Sequence, residues 1–582
     1  MPSTSQDFNH LLTDLETAKS RFHRGHITRI TKLLSRLSPG QLDPHQLIRF
    51  HEVLLFLRAF PHAPSQVARV EHLLNTFHER IEKLRAANAD MSVFDDFDTS
   101  GIAATTMQDV LSFDVAQWLT SRIPRNIEIS WTDYWDDYQG ERSRGDTWPR
   151  LIPLLEEDAA VEANIPWSTW LDAARGRQGA LPWLLNQFAS LPLPAHQKAE
   201  LYDSLRLPLR WKLENLRLSR TRNWTRPRHI FFHATSLIQR HEVSLAHEMS
   251  QPAPKLEQLS RSAGGSVLNS VRDVMFVRYR ELYGTTLGDP STVVRADVGR
   301  GVVLYLWGLP TPHRLPLRAY LCGYTLKNGV PIHYFEAIGL CEWLEVGFNV
   351  FYTYRQGETA WIYAQTLRCL RALTSATCIS IYPYQIGQDN DEAIDSGAFW
   401  FYRKLGFRSG RPDLQKLCEK EEEKIAADLE YRTPRRTLKR LAEAHMSYEV
   451  GGELNPASSS QALATDRGTW DKFSARNLGL LINRRMAREF NGNSQAIRQA
   501  SVAKISRVLG INPARWTPAE KQALENWSLV LAQVPGLPRW APQEKRDMVK
   551  IIRAKAAHDE MPYLRQTQHH ARLRKELLRL GS

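Results

Sequence analysis

Apolar residues in the first 120 positions recur at three- and four-residue spacing. The pattern is clearest in HQLIRFHEVLLFLRAF, from His45 to Phe60, and Pro and Gly interrupt the runs. That period predicts a series of amphipathic helices. The polar stretch Asp95-Asp96-Phe97-Asp98-Thr99-Ser100-Gly101 carries turn chemistry. Helical spacing resumes from about 105 to 250, with Trp118, Trp131, Trp135, Trp148, Trp167, Trp170 and Trp183 spread along it. Gln251-Pro252-Ala253-Pro254 reads as a linker.

Beyond it the period changes. Ser266 to Tyr283 keeps helical spacing, but VVLYLWGL, LRAYLCGYTL and VPIHYFEAIGL are β-rich runs, the last two separated by Lys327-Asn328-Gly329. Asn-Gly between two such runs predicts a tight hairpin, because both residues tolerate positive φ. A further β-rich run, Leu344 to Tyr354, leads through Arg355–Ala360 into the amphipathic WIYAQTLRCLRAL. The short strand CISIYP and the helical DEAIDSGAFWFYRKL follow, stopping at Gly406-Phe407. From Lys416 the pattern is helical again (YRTPRRTLKRLAEAH, NLGLLINRRMAREF, SVAKISRVLGI, ARLRKELLRLGS), with Asn455 to Gly468 a polar interruption.

A chain of 582 residues exceeds one hydrophobic core. The pattern divides it into a helical region 1–120, a helical, Trp-rich region 121–255, an α/β unit 256–414 and a basic helical region 415–582. Residues 431–582 hold 27 Lys and Arg against 13 Asp and Glu, so the net charge of +13 sits essentially in the last quarter. That tail suits RNA, an acidic partner or the chain's own surface. No apolar run reaches the ~18 residues of a membrane span, which predicts no membrane partner. The N-terminal segment reads as an amphipathic helix rather than an export signal. Five cysteines without a CxxC pair read as free thiols, so the expected location is cytoplasmic.

Two turns carry the pointed chemistry. Arg355-Gln356-Gly357-Glu358-Thr359-Ala360 opens a helix with small residues, where unpaired N–H groups and the helix dipole favour an anion. Forty-odd residues on, Asp395-Ser396-Gly397-Ala398-Phe399-Trp400-Phe401-Tyr402-Arg403-Lys404-Leu405-Gly406-Phe407 places Ile394, Ala398, Tyr402 and Leu405 on one helical face. With the strand–helix–strand order, these residues resemble the GNAT-type N-acetyltransferase superfamily over about a quarter of the chain. The family's loop pattern is [Q/R]-x-x-G-x-[G/A]; Arg355 and Ala360 fit it, and Glu358 stands where the pattern has glycine. The second segment follows the family's N-x-x-A-x-x-x-Y-x-x-x-G-F, with Asp395 for the leading Asn.

The resemblance implies a GNAT-like mixed sheet, an antiparallel meander plus a strand–helix–strand crossover, between mainly helical flanks. It implies acetyl-CoA or another acyl-CoA as co-substrate, held by Val350, Tyr352 and the loop Arg355, Gln356, Gly357, Glu358, Thr359 and Ala360. Tyr402 would protonate the departing thiolate. Glu345, with Glu342 and Glu336 nearby, would supply the base for an amine acceptor on a protein or small molecule. Two alternatives stay open: a catalytically silent scaffold acting as an interaction module, and an aminoacyl-tRNA-dependent transferase using the basic C-terminal region for RNA. Trp131–Tyr138 and the histidines at 229, 233, 241 and 247 lack the spacing of an EF-hand or HExxH metal site. Nor is there a P-loop, a dinucleotide fingerprint or a G-x-S-x-G nucleophile elbow.

Overall fold

A computed structural model describes the chain except for residues 1–4, 22–24, 39, 97, 124–125, 137–146, 160–166, 215, 281, 429 and 451–469. The polar interruption at 455–468 and the end of the Trp131–Tyr138 cluster lie outside the described residues. The architecture is mixed α/β, with one nine-stranded mixed sheet and one three-stranded antiparallel sheet.

The small sheet is built from β1 (Thr106–Val110), β2 (Ile127–Ile129) and β3 (Pro208–Lys212), in the order β1-β3-β2. It falls in the span whose pattern reads as mainly helical. Strands of three to five residues are too short to display a period, and β3 meets its partners across about 80 to 100 residues of sequence. Around this sheet Trp148, Trp183, Trp211, Phe113 and Phe188 close a separate core, into which Phe276 and Val277 also reach.

The large sheet uses β4 (Leu256–Gln258), β5 (Val294–Gly299), β6 (Val302–Gly308), β7 (Ala319–Lys327), β8 (Val330–Leu340), β9 (Trp343–Val350), β10 (Cys378–Ile381), β11 (Arg408–Ser409) and β12 (Met446–Glu449). From β4 to β9 neighbours in sequence are neighbours in space, all antiparallel; the chain then crosses over so that β10 lies parallel to β9, and β12 adds beyond it. Asn328 and Gly329 make the β7–β8 turn at φ 49° and 76°, as their sequence predicts. β12 comes from the basic region read as helical, four residues that pairing with β10 on one side and β11 on the other makes a strand.

Every position of β7 is buried because both faces of the sheet are covered. The Pro44–Ala59 helix packs against β8 and is buried nearly all round, opened by a capping box between Asp43 and Gln46. Its core is continuous with that of the sheet and of the Thr359–Thr374 helix. The C-terminal helices form a third core, which the end of the sheet joins through Leu340, Trp343 and Cys378.

The segment 391–404 is two helices, Asp391–Asp395 and Ala398–Lys404, rather than the continuous one its pattern suggests. Gly397 sits in the left-handed region at φ 71° and breaks the run. The second helix still ends at Gly406, φ 106°.

Candidate functional site

β9 and β10 pair over three residues only: Trp343, Leu344 and Glu345 against Cys378, Ile379 and Ser380. β9 then continues to Val350 along β8, while Pro383 turns the other chain into a short helix. The two parallel strands therefore part, leaving one edge of β9 without a strand beside it. A cleft of about 360 Å³ opens there, lined by Phe348, Asn349 and Val350 from β9 and by Gln385, Asn390 and Ser396 from the opposite wall.

The floor of the cleft is the loop into the Thr359–Thr374 helix, contributed by Arg355, Gln356, Gly357, Thr359 and Ala360. Ile362 N–H makes the first helical rung, donating to the Glu358 carbonyl at 2.9 Å. The amides just before it have no carbonyl one turn back and carry the positive end of the helix dipole. Arg240, Arg280 and Arg355 line the same cleft, and among the described lining residues they face a single carboxylate, Glu392, which pairs with Arg355 at the rim. A concave, basic site with an apolar wall and first-turn amides can hold a phosphorylated ligand with an apolar arm. Among the described residues no cluster of His, Cys, Asp and Glu could hold a metal.

Glu358 does not face this cleft. Its side chain is fully buried behind the loop, where it accepts from Lys327 Nζ at 3.1 Å, from Arg300 and from the Ile238 N–H at 3.2 Å. Burial would raise its carboxyl, but Lys327 and Arg300 outweigh that and hold it below the usual carboxylate range. Burial lowers Lys327 to about 8, with Glu358 limiting the fall. A carboxylate at the family's glycine position is thus compatible with an anion in the cleft, because its charge is spent on cations on the far side.

A second brace comes from the N-terminal helices. Thr353, within the loop, donates its hydroxyl to Glu52, which also accepts from Arg220 at 2.8 Å on both oxygens and pairs with His51 at 3.1 Å. Glu52 is lowered to about 2: burial, the largest single influence, would raise it, and Arg220, His51 and Thr353 together outweigh burial. Gly357 meets the neighbouring Phe60, since a Cβ there would fall 2.5 Å from the ring. The first brace reaches the loop from Lys327 and Arg300, 31 and 58 residues before Glu358, and from Ile238; the second comes from elements more than 100 residues away in sequence.

Of the residues expected from the sequence, Val350, Arg355, Gln356, Gly357, Thr359, Ala360 and Tyr402 line the cleft. Tyr352 does not; it is exposed, with the Arg355 guanidinium 5.6 Å over its ring. Tyr402 is 3% exposed, edge-on to Tyr363 and Phe407, and burial pushes its hydroxyl well above the ordinary value, so it stays protonated. Glu345 sits at the last paired rung, where the strands part, and bonds His445 Nε2 at 3.2 Å rather than lining the cleft. Glu336, opposite Gly347 on β8, accepts from the Tyr320 hydroxyl, and burial raises its carboxyl.

Arg240, Arg280, Gln385, Asn390 and His445 escaped the sequence reading. They come from separate turns and helix ends with no periodic or motif signal of their own. The basic cluster of the C-terminal region is engaged within the chain: Arg435 pairs with Asp391 and Asp395, Lys439 with Asp391, and Arg440 with Asp413 and Glu443. Among the described residues no helix is long and apolar enough to cross a membrane, and the five cysteines are unbridged and buried. Compared with family models, with curated proteins and with solved structures, the chain matches none.

Proposed function

We propose that the chain is an acyl-CoA-dependent N-acyltransferase, moving an acetyl or other acyl group from the CoA thioester to an amine of a protein or small molecule. One observation carries the reading. β9 and β10 part directly over a loop that opens a helix, and three arginines surround the gap. The pyrophosphate would lie on the amides of Thr359 and Ala360 and against the arginines, with the pantetheine arm along the free edge of β9.

In the transfer the amine nitrogen attacks the thioester carbonyl, the new C–N bond forms and the C–S bond breaks. An amine acceptor is mostly protonated at neutral pH, so a base must take its proton first. We assign that role to Glu345, which stands behind the lining of the cleft and would act through a bridging water, with His445 beside it. Tyr402, kept protonated by burial, gives its hydroxyl proton to the leaving thiolate.

Calorimetric titration with acetyl-CoA and with free CoA tests the reading, on the parent chain, on Ala360→Trp and on an Arg240→Ala, Arg355→Ala pair. Micromolar binding, lost when the loop is blocked and weakened when the arginines go, is the expected result. No binding of either ligand by the parent sinks it. Binding without turnover against an amine panel turns it into the silent-scaffold alternative.

A further inference from the structure

A second cavity, of about 370 Å³, lies beside the cleft, between the Trp-rich unit and the Arg261–Phe276 helix. Clefts between structural units are where small-molecule sites concentrate. Its apolar wall is Trp118 from the Phe113–Arg122 helix, Phe276 and Tyr279. Two carboxylates reach it: Asp109, on the sheet-edge strand β1, and Asp114, in the first turn of the Phe113–Arg122 helix.

Tyr279 holds a left-handed backbone at φ 50°, a strained conformation for an aromatic residue. The next residue, Arg280, lines both cavities, and its guanidinium donates to the Tyr334 hydroxyl at 2.8 Å. The two spaces thus share one wall.

Their charge differs. The cleft presents Arg240, Arg280 and Arg355 against Glu392; the second cavity sets Asp109 and Asp114 against Arg272 and Arg280, with His196 and His313 in its lining, and Arg272 donates to the Thr286 carbonyl at 2.7 Å. The groove runs on outward past Asp114 and Asp203, with no cation among its described lining residues. A polyanionic cofactor finds an excess of cations in the cleft, and a cationic acceptor finds carboxylates along the cavity and the groove.

We infer that the second cavity is the acceptor site, taking a primary amine on an aromatic body. Asp109, beside Tyr279, attracts the ammonium, and Trp118, Phe276 and Tyr279 pack the ring. This rests on the acyl-transfer reading of the cleft. The acceptor would then be chosen jointly by the Trp-rich unit and by the first helix of the quarter of the chain resembling an acetyltransferase.

The test is calorimetric titration of the full chain with phenethylamine and tryptamine, and separately with acetyl-CoA. It is repeated on the Asp109→Asn, Asp114→Asn pair and on Ala199→Phe, which fills the cavity. We expect amine affinity to fall about tenfold or more in the carboxylate pair and to vanish in Ala199→Phe, with acetyl-CoA affinity unchanged in both. Arg280→Ala should weaken acetyl-CoA and, by removing a cation beside the ammonium, tighten the amine. Amine binding that ignores all these changes, or no amine binding by a chain that does bind acetyl-CoA, overturns the inference and leaves the cofactor reading standing. Carboxylate-dependent amine binding without any acetyl-CoA binding keeps the amine site and sinks the cofactor reading, so the two failures are distinct.

Discussion

Replacing Glu358 by glycine restores the residue of the acetyltransferase loop pattern, and the structure says it will do harm. Glu358 is fully buried against Lys327, itself fully buried, and accepts from the Ile238 N–H. Removing one member of a buried ion pair costs about 3–5 kcal/mol if the other stays charged. Lys327 has an exit, because burial already lowers it to about 8. Giving up its proton costs about 1.4 kcal/mol for each pH unit below that value. To this is added about 1–3 kcal/mol for the Ile238 N–H left without its acceptor. Glu358→Gly should therefore lose about 2–4 kcal/mol at pH 7, and about 1.4 kcal/mol more at pH 6. The sign follows from Lys327: its folded value drops below that of the parent, so the variant recovers relative to the parent as pH rises towards 8. Thermal unfolding followed by near-ultraviolet circular dichroism at pH 6, 7 and 8 reads this directly. Glu358→Ala separates the backbone entropy of glycine, and Glu358→Gln, which keeps an acceptor for Ile238, should fall between. A deficit under about 1 kcal/mol, or one that does not change across this range, would refute the reasoning.

Three further outcomes follow from the same site. Glu52→Gln should cost about 3 kcal/mol at neutral pH, because Glu52 is lowered to about 2 from 4.5. The parent loses that stability as pH falls below about 4.5, so in urea unfolding the gap between the two proteins should close with acidification; a pH-independent gap counts against the Arg220–Glu52 pairing. Tyr402→Phe keeps the ring packed on Tyr363 and should leave the urea midpoint nearly unchanged while slowing acyl transfer about 100-fold; full activity removes Tyr402 as the proton donor. Gly357→Ala drives a methyl into Phe60 and should cost about 1–3 kcal/mol and weaken acetyl-CoA binding in calorimetry, whereas parent-like affinity would show that the loop is not braced from the N-terminal helices.

Much of this could be read from residue order. The period of HQLIRFHEVLLFLRAF reports a helix, though not that its polar His51, Glu52 and Arg58 are buried too; Asn328-Gly329 reports a hairpin and Gly406 a helix stop, because each depends on neighbours within a few residues. The strand–loop–helix–strand order around Arg355–Ala360 is local in the same sense, and most of the cleft's floor was visible in it. Only the tertiary structure decided the rest. β1, β2, β3 and β12 are strands because distant partners complete their ladders, not because their own few residues insist on it. Arg240 and Arg280 converge on the cleft from separate turns. Glu358 was the sharpest case: the sequence shows a carboxylate in a phosphate-type loop, but which way it points depends on Lys327 and Arg300 arriving from the β-meander. Sequence period records which face of an element is buried; the charge that waits on the other side of that face is set by contacts the chain makes only once it is folded.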